Sequence, residues 1–132
     1  MITVLITSDP RYPVNKARIR AQVEKTLGEM GVLGDVEVSV FIVGDRKMKL
    51  LNAVYRHIEE TTDVLSFPLQ EASDESGFVP YPDSILRLGD IVISYPQAIL
   101  NAHEHNRLVD DEIDALVEHS LFHLLGIHHE GD

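Results

Sequence analysis

The 132-residue chain contains no cysteine. That absence excludes disulfides, thiolate zinc ligands and cysteine nucleophiles, and leaves histidine, carboxylate and water as the groups able to hold a metal. Long apolar runs are missing as well. None approaches the roughly 20 residues of a membrane span, and the opening "MITVLITSDPRYPVNKARIR" has no basic stretch followed by an apolar one of the kind that directs export. A soluble, cytoplasmic protein without a membrane partner is expected. Basic residues are scarce beyond the first half: His57 to Asp132 hold two Lys/Arg against sixteen Asp/Glu, whereas Met1 to Arg56 hold nine against six.

The formal net charge of −11 argues against a nucleic-acid partner if it is taken as an average. The asymmetry changes that argument. Arg11, Lys16, Arg18, Arg20 and Lys25 form one basic cluster, and Arg46, Lys47, Lys49 and Arg56 form a second. They are either solvated helix faces, with the acidic half serving solubility, or the walls of a local groove for phosphates.

At 44% hydrophobic, residues 1–132 can fold as one domain. "ITVLIT" alternates as a strand does. Pro13 and Asn15 then open a helix whose apolar positions Ile19, Val23, Leu27 and Met30 recur at helical spacing, and Gly31 ends it. "VEVSVFIV" is a second strand, and Asp45 is placed to cap the helix "RKMKLLNAVYR", with Met48, Leu51 and Tyr55 on one side. "DVLSF" reads as a third strand closed by Pro68, "QEASDESGFVPYPDS" as a long loop, and "GDIVIS" as a fourth strand with Asp90 organising a turn. Pro96 starts a helix running to about Asn106, and "DDEIDALVEHSLFHLLG" makes the last one, acidic at its start and stopped at Gly126. The order predicts an α+β domain: a mixed sheet of about four strands packed with helices. Strand order is not legible from it.

The last fourteen residues, "HSLFHLLGIHHEGD", hold four of the seven histidines. His119 and His123 are four apart, so a helix projects both from one face, about one turn apart. Beyond the break at Gly126, His129 can return toward the same point. Three neutral imidazoles in H-x3-H-x5-H spacing suit a zinc ion with an open fourth position. Core packing of His119 and His123, or incidental metal affinity, is the plainer alternative. His57, His103 and His105 are isolated or lie in a polar helix and are assigned no ligand role.

"HSLFHLLGIHH" resembles the H-G-x-L-H-L-x-G-Y-D-H signature of the YbeY-type endoribonucleases, bacterial factors of ribosomal RNA maturation. "LNAVYRHIEETTDVLSFP" is similar to that family's N-x-x-Y-R and T-D-V-L-S-F-P segments, and "LGDIVIS" to its next strand, in the same order. The resemblance spans about Asn52 to His129 and implies a zincin-like site on the last helix, with one zinc per chain on His119, His123 and His129 and a functional arginine at Arg56. It further implies a single-strand endoribonuclease that processes the 3′ end of 16S ribosomal RNA and serves ribosome quality control, with ribosomal RNA, and the small subunit or its proteins, as partners. Ser120 stands where the family has glycine, and His128 where it has aspartate. The chain ends at Asp132, where relatives usually continue into further helix.

Phosphodiester hydrolysis needs a nucleophile, charge on the phosphoryl oxygens and help for the leaving oxygen. A metal-activated water supplies the first. The planar fork of Arg56 suits the second, the alternative being a salt bridge to Glu59, Glu60 or Asp63. Asp63 is a candidate for orienting a ligand or Arg56, His128 is a candidate outer-shell or acid-base group, and Glu118 is a further neighbour in sequence. Lys16, Arg18, Arg20, Arg46, Lys47 and Lys49 are the candidates for RNA contact. A zinc protease would need glutamate directly after His119, and Ser120 occupies that place. The rival outside enzymology is a non-catalytic, zinc-containing ribosome-assembly or RNA-binding factor, which a fourth protein ligand such as His128 would support.

Overall fold

In the computed structural model, which describes residues 1–69 and 85–126, the alternating start of the chain forms β1 (Ile2–Ser8). Asn15 then caps α1 (Lys16–Glu29), its side chain accepting the Arg18 amide at 3.0 Å. Burial of Ile19, Val23 and Leu27 fixes the rotation of α1. In β2 (Val36–Val43) every second residue is buried, which gives the strand one core face through Val36, Val38, Val40 and Ile42. After it come α2 (Asp45–Arg56), β3 (Val64–Pro68), β4 (Leu86–Ser94), α3 (Tyr95–Glu104) and α4 (Val109–Leu124).

The sheet order is β1-β2-β4-β3. β1 with β2 and β2 with β4 run parallel, while β3 is added antiparallel at the edge, so the sheet is mixed as expected. Register shifts where Glu37 faces Arg87 but Val38 faces Gly89. Gly89 has a φ of 146°, and a Cβ there would stand 2.2 Å from the Phe67 carbonyl oxygen, so only glycine lets β3 approach at this point.

Helices α1, α3 and α4 share one sheet face. Val23, Leu27, Val38, Val40, Ile91, Ile93, Ile113, Val117 and Leu121 form its core, each with 1% exposure or less. Each such side chain contributes about 1.5–3 kcal/mol by leaving water. The other face carries α2 over a smaller cluster of Met48, Leu65 and Val92, flanked by Phe41, Val43, Leu51 and Phe67. α4 is thereby seated in the larger core, with its C-terminal end at the β3 edge of the sheet.

Two local expectations fail. Gly44, not Asp45, occupies the cap position of α2, and no side chain caps it. The Asp45 carboxylate is instead taken by distant donors, accepting from Ser94 Oγ at 2.7 Å, Thr61 Oγ1 at 3.0 Å and Gln97 Nε2 at 3.2 Å. Asp90 organises no turn, because β4 begins earlier and carries it between Ser39 and Phe67, where burial pushes its carboxyl above the ordinary range. Met48, Leu51 and Tyr55 do lie on one side of α2, with Met48 buried and the more exposed Tyr55 packed edge-on against Phe67. Among the described residues, no helix is long and apolar enough to cross a membrane.

Candidate active site

The buried stripe of α4 runs through Ile113, Leu116, Val117, Leu121 and Leu124. With that face committed to the core, His119 and His123 are turned toward a cavity of about 830 Å³ at the end of the sheet. Their Nε2 atoms are 3.0 Å apart, with ring centroids at 4.5 Å and planes at 76°. Two imidazole nitrogens on one tetrahedral zinc, each at about 2.0–2.1 Å, would stand about 3.3 Å apart. The pair therefore fits a shared ion with a shift of a few tenths of an ångström. Among the described residues, no third His, Asp or Glu completes a metal cluster. His128 and His129 lie outside the described residues.

Arg56, the last residue of α2, lines the same cavity together with Thr62, Asp63 and Ser66. It makes no ion pair with Glu59, Glu60 or Asp63 among the described residues, so the surface salt bridge open to it in sequence is not formed. A sharp return brings the chain from Arg56 to the cavity wall. His57 adopts the left-handed conformation at φ 60°, and Asn52 donates through Nδ2 to the Glu60 carbonyl at 2.8 Å. Asn52 is 2% exposed, and its Oδ1 finds no donor among the described residues.

Asp63 orients toward α3 and not toward Arg56. Its carboxylate accepts from Asn101 Nδ2 at 3.1 Å, and its carbonyl accepts the Ser94 amide at 2.9 Å. Ser120, the departure from the family glycine, is fully buried between the two histidines and shares a hydrogen bond with Ser66, which ties α4 to β3 beside the site. Sequence reasoning assigned no part to Ser66, Asn52 or Asn101. Asn52 and Ser66 were visible inside the quoted segments, but nothing local marked Asn101. Glu118 precedes His119 and does not line the cavity.

The basic candidates divide. Arg18 donates to Asp114 at 2.8 Å and to Asp111, which binds α1 to the first turns of α4 and raises the guanidinium pKa further. Lys16 and Arg20 share that helix, so the first cluster does not gather beside the histidines. Arg46 and Lys47 line a separate cleft of about 610 Å³ with Arg11, while Lys49 is exposed farther along α2. Arg11 is itself held by Asp9 at 2.7 Å, and its hydrogen bonds lower the Asp9 carboxyl to about 2.

Comparison with known proteins shows the family. The family model described as endoribonuclease YbeY matches residues 6–132. An endoribonuclease YbeY from Roseiflexus sp. (strain RS-1) is 42% identical over 130 residues, covering 97% of this chain and 80% of the relative. One from Moorella thermoacetica is 35% identical over 122 residues, covering 90% of this chain and 78% of the relative. The solution structure of TM1509 from Thermotoga maritima aligns over 100% of this chain and 77% of that one, with a TM-score of 0.59 and 27% identity. A histidine pair aimed with an arginine into one cavity, on a chain matched across nearly its whole length, places it in the YbeY endoribonuclease family.

Proposed function

We propose that residues 1–132 form a single metal-dependent endoribonuclease domain that hydrolyses phosphodiester bonds of single-stranded RNA. Its place is ribosomal RNA maturation in the cytoplasm, at the 3′ end of 16S ribosomal RNA and in ribosome quality control. Ribosomal RNA is the substrate, and proteins of the small subunit are the natural partners. The observation that carries this reading is the meeting of His119 and His123 with Arg56, which has no ion pair among the described residues, around one cavity of about 830 Å³.

Zinc, one per chain on His119, His123 and His129, would supply Lewis-acid charge and make water nucleophilic near neutral pH. The remaining work falls to the chain. Arg56 grips two phosphoryl oxygens with its planar fork, which its position at the end of α2 turns to the cavity. Asn52 and the return at His57 fasten the Arg56 end of α2 to the segment that leads into β3, while Ser66 and Ser120 hold the histidine helix against that strand. Asp63, anchored by Asn101, keeps a carboxylate at the cavity wall where it orients groups around the phosphate. His128 serves as an outer group that gives or takes a proton. A purely structural metal has less support, since a closed site would not need so large a cavity beside its ligands.

The test combines metal analysis with cleavage of a single-stranded ribosomal RNA precursor. Purified protein should hold about one zinc per chain. Arg56→Lys should keep that metal and the fold but cut about 10- to 100-fold more slowly, because lysine keeps the charge and loses the fork, a milder loss than removing a transition-state donor outright. Failure to bind metal on titration would remove the ligand assignment. Unchanged cleavage by Arg56→Lys would reduce Arg56 to an ordinary surface charge.

A further inference from the structure

We propose that the RNA backbone is carried along one side of α2, on Arg46, Lys49 and Arg56, and that α1 takes no part in holding it. The proposal rests on the reading of the histidine cavity as an RNA-cutting site and specifies the path by which the strand reaches it.

The first support is the pairing of the cations. Arg11 is held by Asp9 at 2.7 Å, Arg18 by Asp111 and Asp114, Arg87 by Glu37 at 3.3 Å, and Arg107 by Glu112 at 3.0 Å. In contrast, none of the four cations of α2 has an ion pair among the described residues; of the remaining cations only Lys16, Arg20 and Lys25 of α1 share that state. A paired guanidinium must give up a carboxylate before it can accept a phosphate. An unpaired one gives up only water, so in a chain of net charge −11 the unpaired cations of α2 and α1 are where phosphate binding has the least to overcome, and their position relative to the cavity decides between the two helices.

Helical geometry supplies the second support. Positions 46, 49, 53 and 56 fall within one sector of a helix turning about 100° per residue. Three of them are Arg46, Lys49 and Arg56, all exposed, and the fourth is the small Ala53, which leaves the stripe unobstructed. At about 1.5 Å per residue the stripe is about 15 Å long. Its two ends coincide with two open features of the surface: Arg46 lines the cleft at the start of α2, and Arg56 lines the histidine cavity. Lys47 lies outside the stripe and lines a further cavity with Phe41 and Tyr55.

The third support is the position of α1. It packs on the sheet face opposite α2, and Arg18 ties it to the acidic first turns of α4, away from His119. A strand held by Lys16 and Arg20 would therefore have to pass Asp111 and Asp114 to reach the histidines. An acidic protein could also recognise a basic helix face. Continuity of the stripe with the cavity favours RNA, since a partner that only docks needs no cation inside the cutting site.

The experiment measures binding of a fluorescently labelled single-stranded RNA to the full chain across a series of salt concentrations, with cleavage followed in the same samples on a gel. Arg46→Gln combined with Lys49→Gln should weaken binding and flatten the dependence of log affinity on log salt by about 0.7 for each phosphate no longer neutralised. Swapping the cations instead, Arg46→Lys with Lys49→Arg, should restore the slope. Lys16→Gln with Arg20→Gln is the competing arm and should leave the slope as it was. An unchanged slope in the α2 pair, a flattened one in the α1 pair, or no RNA binding by the starting protein would overturn the path. RNA bound with the expected slopes but never cut would keep the path and refute the nuclease. RNA cut normally while the slope ignores α2 would do the reverse.

Discussion

The two ends of α4 handle charge in opposite ways. At its N-terminal end every strong charge with a known partner is neutralised in place. Glu112, 3% exposed, accepts from His105 Nδ1 at 2.8 Å and Arg107 Nε at 3.0 Å, and Asp111 and Asp114 engage Arg18. This end joins α3 and α1 to α4, and acidic groups in a first helical turn also suit the positive pole of the helix. At the C-terminal end, two imidazoles face an open cavity together with an arginine that has no ion pair among the described residues. Charges satisfied inside the protein hold the fold, whereas the exposed His119 and Arg56 side chains line an open cavity.

The comparison is broken most severely at the open end. His119→Ala should leave the fold intact, because the ring is exposed and the buried stripe of α4 does not include it. RNA cleavage should fall by more than about 100-fold, since loss of a group that merely orients a metal ligand already costs about 10- to 100-fold. A metal content and cleavage rate close to those of the starting protein would show that the histidine pair only packs.

At the closed end the expected effect is on stability. Glu112→Gln removes a carboxylate that accepts hydrogen bonds from the Arg107 guanidinium and the His105 ring, at a cost of about 2 kcal/mol, with cleavage unchanged at a temperature where the protein stays folded. Burial alone would raise the Glu112 carboxyl, but the hydrogen bonds from Arg107 and His105 outweigh it and hold the group below the usual glutamate range. A carboxyl depressed by folding adds stability above its unfolded pKa of about 4.3 and loses it as pH falls toward the folded value. Melting of the starting protein should therefore decline through that acidic window, and the Glu112→Gln variant should lack this part of the decline. Parallel melting curves would show that the triad adds nothing.

Elements and histidine pair were legible because their signals are local. Apolar spacing marks α1 and α4, β-branched alternation marks β2, and a separation of four residues is enough to put His119 and His123 on one face. What was hidden depends on partners far along the chain. Asp45 looked like a helix cap until Ser94 and Gln97 were seen to claim it, 49 and 52 residues away. Arg18 was a candidate for RNA contact, and its ion pair with Asp114, across 96 residues, was not visible locally. Strand order has the same character: β4 lies between β2 and β3, a pairing no local pattern encodes. Arg56 was nominated by family resemblance, and the structure adds that it shares the histidine cavity without an ion pair among the described residues.

The smallest effect is expected at Ser120, where the open end borrows a device of the closed one. Its buried hydroxyl is satisfied by Ser66, so α4 is fastened to β3 between the two histidines. Ser120→Ala loses that bond, worth about 1 kcal/mol, but gains back about half of it because alanine favours a helix more than serine does. Ser120→Gly, the residue usual in the family, loses the same bond and adds about 0.5 kcal/mol of helix cost, for a total near 1.5 kcal/mol. Thermal denaturation of the two variants should thus rank serine above alanine above glycine. If alanine equals or exceeds serine, the Ser66 hydrogen bond contributes no net stability. A glycine variant as stable as the starting protein would mean that closer packing of α4 on β3 compensates, and that the hydroxyl pair fills space a glycine can close.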